Sequence, residues 1–439
     1  MNRKTRADAG AGTGLTRTPK LDAKPASGMA GRALASSTLR ILSLGTLGTF
    51  QCARVFREGA ENCARGGRAP FPFRNSGLKQ TRIREAGATR ILNLCLAACL
   101  VAGLVFLQTP AVKPTVVHVP AGSTGVEIQR ALDSLPQSGG EVALAAGIFE
   151  VAQPIVLQRD NQTLRGAGAA TVLRLAAGAN CPVIILGEPV NHPRHMVSHL
   201  RVAGLAIDGN RLHQQQERWQ GSGAGSQIRN NGITVQTVGD STVEQVTCSR
   251  CRSGGLVTTH VVRRLTVQDF TAFDNQFDGL ACYQTEDCRF TRLYLHDNPG
   301  AGISLDLAFN HNVISNAVLT ANDLGIFMRA SRNNQFLNVT IRDSHQYGVF
   351  LAQTETPTAR GWGPAPRTEC TDNVFNNLIA THCGGAAFHV NNASCTNNII
   401  SCARFADNGP GDLALGSRNG SRPGEAIFHP SGLASLGTP

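Results

Sequence analysis

A short motif built around glycine returns about every 23 residues, and nothing else in the chain narrows its fold as far. Asn231-Gly232-Ile233-Thr234-Val235 is echoed by Gly254-Gly255-Leu256-Val257-Thr258, Asp278-Gly279-Leu280-Ala281-Cys282, Ala301-Gly302-Ile303-Ser304-Leu305, Leu324-Gly325-Ile326-Phe327-Met328 and Tyr347-Gly348-Val349-Phe350-Leu351. From glycine to glycine the steps are 23, 24, 23, 23 and 23. Ala386-Ala387-Phe388 follows 38 residues on, one repeat plus an insertion of 15, and Gly411-Asp412-Leu413 comes 25 later. A second apolar pair sits about eleven residues into each repeat, as in Val313-Ile314, Phe336-Leu337, Val374-Phe375 and Ile399-Ile400. No helix-length apolar pattern separates these runs. Short strands, turn residues and this period predict a parallel β-helix, each repeat one coil stacked about 4.8 Å from the next. Leucine-rich repeats are of similar length, but their Leu-x-x-Leu-x-Leu signature is missing.

Amides reinforce the assignment. Asn312, Gln335, Asn373 and Asn398 stand directly before the second apolar pair and are expected to stack as a ladder along the axis. Cys370 and Cys395 each lie three residues ahead of such an amide, at one height in adjacent coils, where a disulfide is geometrically feasible. Upstream, residues 126–135 have helical spacing, start after Ser123-Thr124 and stop at Pro136; they predict a helix that covers the open first coil.

The remaining divisions follow from composition. Residues 1–112 hold 17 Lys and Arg against 5 Asp and Glu, whereas residues 113–439 hold 24 against 25. The net charge of +11 therefore belongs to the N-terminal arm, and the neutral body, only 5% aromatic, lacks the footprint of a nucleic-acid binder. We read residues 1–89 as a disordered basic arm, residues 90–111 as a signal peptide or membrane anchor, residues 112–190 as the cap and first coils, residues 191–415 as the β-helix and residues 416–439 as a tail. Membrane contact is expected only through the apolar stretch 91–107. Nine of the 13 Cys fall in the body, an odd number that leaves at least one free. Cys248 and Cys251 have zinc-like spacing, but no second pair follows, so no metal site is predicted.

Several segments carry a resemblance. Ile128-Gln129-Arg130-Ala131-Leu132-Asp133, Gly139-Gly140-Glu141-Val142-Ala143-Leu144-Ala145-Ala146-Gly147-Ile148-Phe149, Gln162-Thr163-Leu164-Arg165-Gly166-Ala167-Gly168 and Leu205-Ala206-Ile207-Asp208-Gly209-Asn210-Arg211 together resemble the opening of pectate-lyase-like right-handed β-helix proteins, the pectin lyase fold. The resemblance covers about residues 115–415 and implies an all-β, right-handed, single-stranded parallel β-helix. It also implies an acidic polysaccharide as substrate class, since the superfamily includes lyases, hydrolases and epimerases. The Asp-Pro-His motif of mannuronan epimerases and the Gly-His-Gly and Arg-Ile-Lys motifs of polygalacturonases do not occur in this sequence.

Strand alternation then nominates a site. One and three residues after each glycine the side chains are apolar and face inward; two and four residues after, they face outward. The outward rows place Tyr283, Asp306 and Arg329 in successive coils beside Phe327 and Phe350. Glu286 and His311 lie a few residues further on, and Trp362 lies in the insertion near the same face. Arg329 is the candidate clamp for a uronate carboxylate, Tyr283 or His311 the candidate base or acid, and Asp306 with Glu286 the carboxylate pair a hydrolase needs. Phe327, Phe350 and Trp362 are candidate sugar-stacking rings. The function read from the sequence is an exported protein acting on a uronic-acid-containing polysaccharide, as lyase or epimerase before hydrolase. A glycan-binding or structural surface protein without catalysis is the alternative. No motif selects a cofactor, and calcium is left open.

Overall fold

The chain divides into two units, residues 1–36 and 37–439. The computed structural model describes residues 40–42, 115–219, 228–354 and 367–415, all in the second unit. These residues form a parallel β-solenoid of about 11 turns. Every strand pairing among the described residues is parallel, and within residues 115–415 each links a coil to the next one along the chain.

Two sheets run the length of the stack. In the long sheet, strands of eight residues lie in register, among them Thr242–Ser249, Thr266–Phe273, Arg289–His296, Val313–Thr320, Gln335–Arg342 and Val374–Thr381. Each strand bends at one left-handed residue: Gln245, Asp269, Arg292, Asn316, Asn338 and Asn377 have φ of 51–57°. Four of the six are Asn or Asp, the non-glycine residues that tolerate this region best. The short sheet stacks Leu256–Arg263, Leu280–Tyr283, Ala301–Asp306, Leu324–Arg329, Val349–Ala352 and Phe388–Val390. Gly325 shows why small residues recur at the junction: a Cβ there would lie 2.4 Å from the Gly348 carbonyl oxygen of the next coil.

Because the coils are in register, the core is a set of columns. Val243, Val267, Phe290, Ile314, Phe336, Phe375 and Ile400 form one, all buried, with the rings of Phe336 and Phe375 stacked at 4.5 Å. Leu256, Leu280, Ile303, Ile326, Val349 and Phe388 form another from the short sheet. The inward assignment of the first and third positions after each glycine is what the structure has.

The amide ladder is present with one substitution of members. Asn312, Asn334, Asn373 and Asn398 are buried and linked, each side-chain Nδ2 donating to the Oδ1 of the next at 2.9–3.2 Å. Gln335 is exposed and pairs instead with Val313 and Val374. That coil is 22 residues long, one short of the usual 23, which shifts the ladder position to Asn334. A second buried ladder, Asn275, Asn298 and Asn322, occupies another corner. Asn298 looks like a turn residue in the sequence, yet its amide runs along the axis. Val349 pairs with Phe388, so the step across the insertion is one residue longer than the motif spacing suggested.

All nine body cysteines are free thiols, eight of them buried. Cys370 and Cys395 do lie at one height in adjacent coils, the Cys370 amide 3.4 Å from Cys395 Sγ.

The cap helix, α1, is Gly125–Ser134, ended by Leu135 and Pro136. Glu127 accepts from the Thr124 amide at 2.5 Å at its start, and Ile128, Ala131 and Leu132 turn to the core. Gln129 substitutes for a missing strand: its amide accepts from Val156 N–H at 2.8 Å and donates to Val156 C=O at 3.2 Å. A Gln129→Ala variant leaves both groups without these partners and is expected to cost about 1–3 kcal/mol, measured by urea denaturation.

Arg40–Leu42, within the stretch expected to be a disordered arm, pairs in parallel with Ile399–Ser401. The rest of that arm, the apolar stretch 91–107 and the tail 416–439 lie outside the described residues. Among the described residues no helix is long and apolar enough to cross a membrane.

Candidate functional site

The short sheet carries the nominated row. Tyr283 pairs in register with Asp306, and the Arg329 guanidinium donates to Asp306 Oδ2 from the following coil. Alternation places all three on the side of the sheet away from the core, as expected, but Asp306 is not at the surface. Its residue exposure is 3%, it accepts a second bond from Leu307 N–H at 2.8 Å, and burial raises its carboxyl above the ordinary range despite Arg329. Arg329 bridges outward, with 41% of its side chain exposed, its Cζ 5.1 Å from the centre of the Phe327 ring and its Nε buried without a partner. The pair is therefore a covered ion pair rather than the weak surface pair that sequence alone would allow.

Beside it the expected rings stack. Phe327 and Phe350 lie at 5.8 Å with planes 16° apart, and the column continues to residues the sequence reading missed: His389 stacks on Phe350 at 5.0 Å, and Tyr347 on His389 at 4.6 Å. His389 Nδ1 is buried and has no hydrogen-bond partner. His389 pairs with Phe350 in the ladder, so it sits at the same outward position one coil on; the insertion hid that spacing.

Asp278 also carries no site signal in the sequence. It precedes its repeat glycine, where a turn role looks sufficient, but burial pushes its carboxyl up to about 6 while the Ala301 amide, 2.8 Å away, and Arg229 partly offset the shift. Asp278 and Asp306 both bear on Tyr283, whose phenol burial and these two carboxyls hold well above its usual range. Asp278, Tyr283, Asp306 and Arg329 therefore form one electrostatic group, with Arg229 at its edge.

Glu286 and His311 are placed elsewhere. Past the left-handed corner at Gln284, Glu286 lies on the short leg Thr285–Glu286; past Leu307 and Ala308, His311 follows the short leg Phe309–Asn310 and is itself left-handed. Glu286 pairs with Arg263 at 3.3 Å, and exposed His311 contacts Asn333 at 3.4 Å. The carboxylate pair of Asp306 and Glu286 is thus divided between two legs. Trp362 lies outside the described residues. Trp219 packs against the core.

Stacked parallel coils, an N-terminal cap helix and outward polar rows on one sheet define a right-handed parallel β-helix protein of the pectate-lyase type. The family model described as periplasmic copper-binding protein (NosD) matches residues 175–422, and the chain belongs to that family. None of the curated proteins matches it. Among solved structures, the Geobacillus virus E2 ORF18 protein aligns at 13% identity and a TM-score of 0.51, over 77% of this chain and 64% of the viral one. This chain thus spans less than two thirds of that protein's length. The mannuronan C-5 epimerase AlgE4 A-module of Azotobacter vinelandii aligns at 15% identity and a TM-score of 0.42, covering 68% and 98% of the two chains. A Yersinia enterocolitica family 28 exopolygalacturonase aligns at 12% identity and a TM-score of 0.44, covering 70% and 79%. At these identities the likeness is one of fold.

The family description names copper, which draws on converging imidazole, thiolate or thioether donors. Among the described residues no three His, Cys, Asp or Glu side chains converge on a point. His192 and His260 approach edge-on, with ring centres 6.3 Å apart, without a third such group. The described His, Cys, Asp and Glu side chains do not by themselves assemble a copper centre.

Proposed function

We propose that this is an exported β-helix protein that holds a uronic-acid-containing polysaccharide along the outer face of its short sheet and acts on it as a lyase or epimerase. The observation that carries the reading is the juxtaposition of Asp278, Tyr283, Asp306 and Arg329 with the ring column of Phe327, Phe350, His389 and Tyr347. Rings offer a face to the apolar side of a pyranose, and a guanidinium offers charge to its carboxylate.

The hard step of elimination or epimerisation is loss of the proton on the carbon beside the carboxylate, which needs a base and a cation to hold the developing charge. Asp278, with its carboxyl near 6, is a carboxylate at neutral pH and a stronger base than an ordinary aspartate. Tyr283 keeps its proton and serves as donor: to the leaving oxygen in elimination, or to the opposite face of the same carbon in epimerisation. Arg329 supplies the charge. Hydrolysis is less well supported, because Asp306 is engaged with Arg329 and Glu286 with Arg263. The family's periplasmic description and the apolar stretch 91–107 support export.

The test is incubation of the purified protein with a panel of uronans. Ultraviolet absorbance of an unsaturated uronate supports the lyase, and solvent deuterium entering polymer of unchanged length supports the epimerase. Reducing ends without unsaturation would replace both by hydrolysis. Binding with no product would favour the non-catalytic alternative.

A further inference from the structure

The segment Leu205 to Arg211 helps carry the family resemblance, yet nothing at the short-sheet site uses it. It ends in an open cleft of about 470 Å³ lined by Arg174, Asp208, Asn210, Arg211, His213 and Arg250, with Leu212 at its mouth. That volume is within the range of small-ligand sites.

The cleft is built around one buried acid. Asp208, 5% exposed, accepts from Arg250 through Nε at 2.9 Å and Nη2 at 2.5 Å, from Arg174 Nε at 3.0 Å and from Asn210 N–H at 3.0 Å. Burial alone would raise this carboxyl, but the bonds from Arg250, Asn210 and Arg174 hold it below the ordinary range. Arg211 is fixed separately by the Asp274 carboxylate at 2.7 Å and the Asp274 carbonyl at 2.8 Å. Three guanidiniums thus converge on a cleft with one acid in its wall, while Asp274 and Glu150, the latter in register with Arg174, stand at its edge.

The guanidiniums are oriented but not saturated. Arg174 gives only its Nε to Asp208 and leaves 46% of its side chain exposed, so its outer nitrogens are free to form a fork. Arg250 alone pairs with Asp208 through two nitrogens, so Arg174 is surplus to neutralising that acid. Leu212, 85% exposed on a single helical turn, is an apolar lip beside the charges.

We propose that this cleft binds the carboxylate of an acidic sugar residue, with Arg174 and Arg250 on the carboxylate and Leu212 against the ring. It is a second carbohydrate site at the corner after the long sheet, separate from the ring column. The choice of sugar acid over another small anion rests on the acidic-polysaccharide reading given above and on the apolar lip.

Isothermal titration of the full-length protein with an oligogalacturonate, with its carboxyl-reduced neutral analogue and with inorganic sulfate tests this. The acidic oligomer is expected to bind, the other two to bind far more weakly, and added salt to weaken the complex. Arg174→Gln leaves Asp208 paired with Arg250, so folding is retained, and affinity is expected to fall about tenfold at unchanged melting temperature. Leu212→Ser, at an exposed position, is expected to lower affinity about threefold. Equal affinity for wild type and Arg174→Gln overturns the inference, as does equal affinity for the neutral analogue. Sulfate bound as tightly as the oligomer would mark an anion site that does not read sugar, which also overturns it. Phe350→Ala separates the two sites: binding lost there but kept in Arg174→Gln sinks the cleft and leaves the short-sheet reading intact.

Discussion

Replacing Arg329 by Met is expected to destabilise the protein by about 3 kcal/mol near neutral pH, at the low end for breaking a buried ion pair because the arginine itself is partly exposed. Asp306 is the reason. At 3% exposure its charge has Arg329 and one backbone amide to balance it. Without Arg329 its carboxyl, already raised by burial, would rise further and take up a proton on folding. A group whose folded-state pKa lies above its unfolded one contributes stability at low pH and loses it as pH rises through the folded value. The penalty in Arg329→Met should therefore be larger at pH about 8 than at about 5. The double variant Asp306→Asn with Arg329→Met should recover most of it. Urea denaturation at both pH values decides. A loss of about 1 kcal/mol or less, independent of pH, would show an ordinary surface pair.

Asp278→Asn is expected to cut turnover on the active uronan by about a hundredfold or more, the usual contribution of a positioned general base. In the wild type, the dependence on its ionised form should make the rate climb as pH rises toward about 6 and level off above it. The same group gives an opposite signature in stability. Burial favours its protonated form, so the wild type loses stability as pH rises through about 6, and the Asn variant should be spared that loss. Asn retains an oxygen to accept from Ala301 N–H. Activity down with stability held or raised above pH 6 marks a catalytic carboxyl; activity and stability falling together would mark a structural one. The groups that oppose burial in this titration are the Ala301 amide and Arg229.

The fold was legible because a coil repeats its geometry: the glycine steps and the inward apolar positions mark which residues stack. A change in coil length is what the local sequence hides. Gln335 was placed in the amide ladder because the apolar pair beside it looked aligned, whereas a coil one residue shorter puts Asn334 there. At Asn298 the sequence alone does not separate an Asx turn from an axial ladder, because both draw on the same residue type at the same kind of corner.

The site was legible in part. Alternation identified the side of the sheet on which Tyr283, Asp306 and Arg329 lie, but alternation does not reveal what covers a side chain. Asp306 is buried by its own neighbours, the guanidinium among them. Asp278 was missed because its environment comes from Gly300 and Ala301 of the next coil, contacts with no local sequence signal. Glu286 and His311, close to the row in sequence, are carried away by left-handed corner residues that are not glycine.

The most direct test of the account is the affinity of an acidic oligosaccharide for the wild type, Arg329→Lys, Phe350→Ala and His389→Ala, with melting temperature measured on each. If the short sheet is the polysaccharide face, Arg329→Lys loses the planar fork and the ring variants lose stacking surface, and each affinity falls about tenfold or more while melting temperatures fall only modestly. Affinities equal to wild type in all three variants, whatever their melting temperatures, would contradict it and show that the row and the rings serve only the stack.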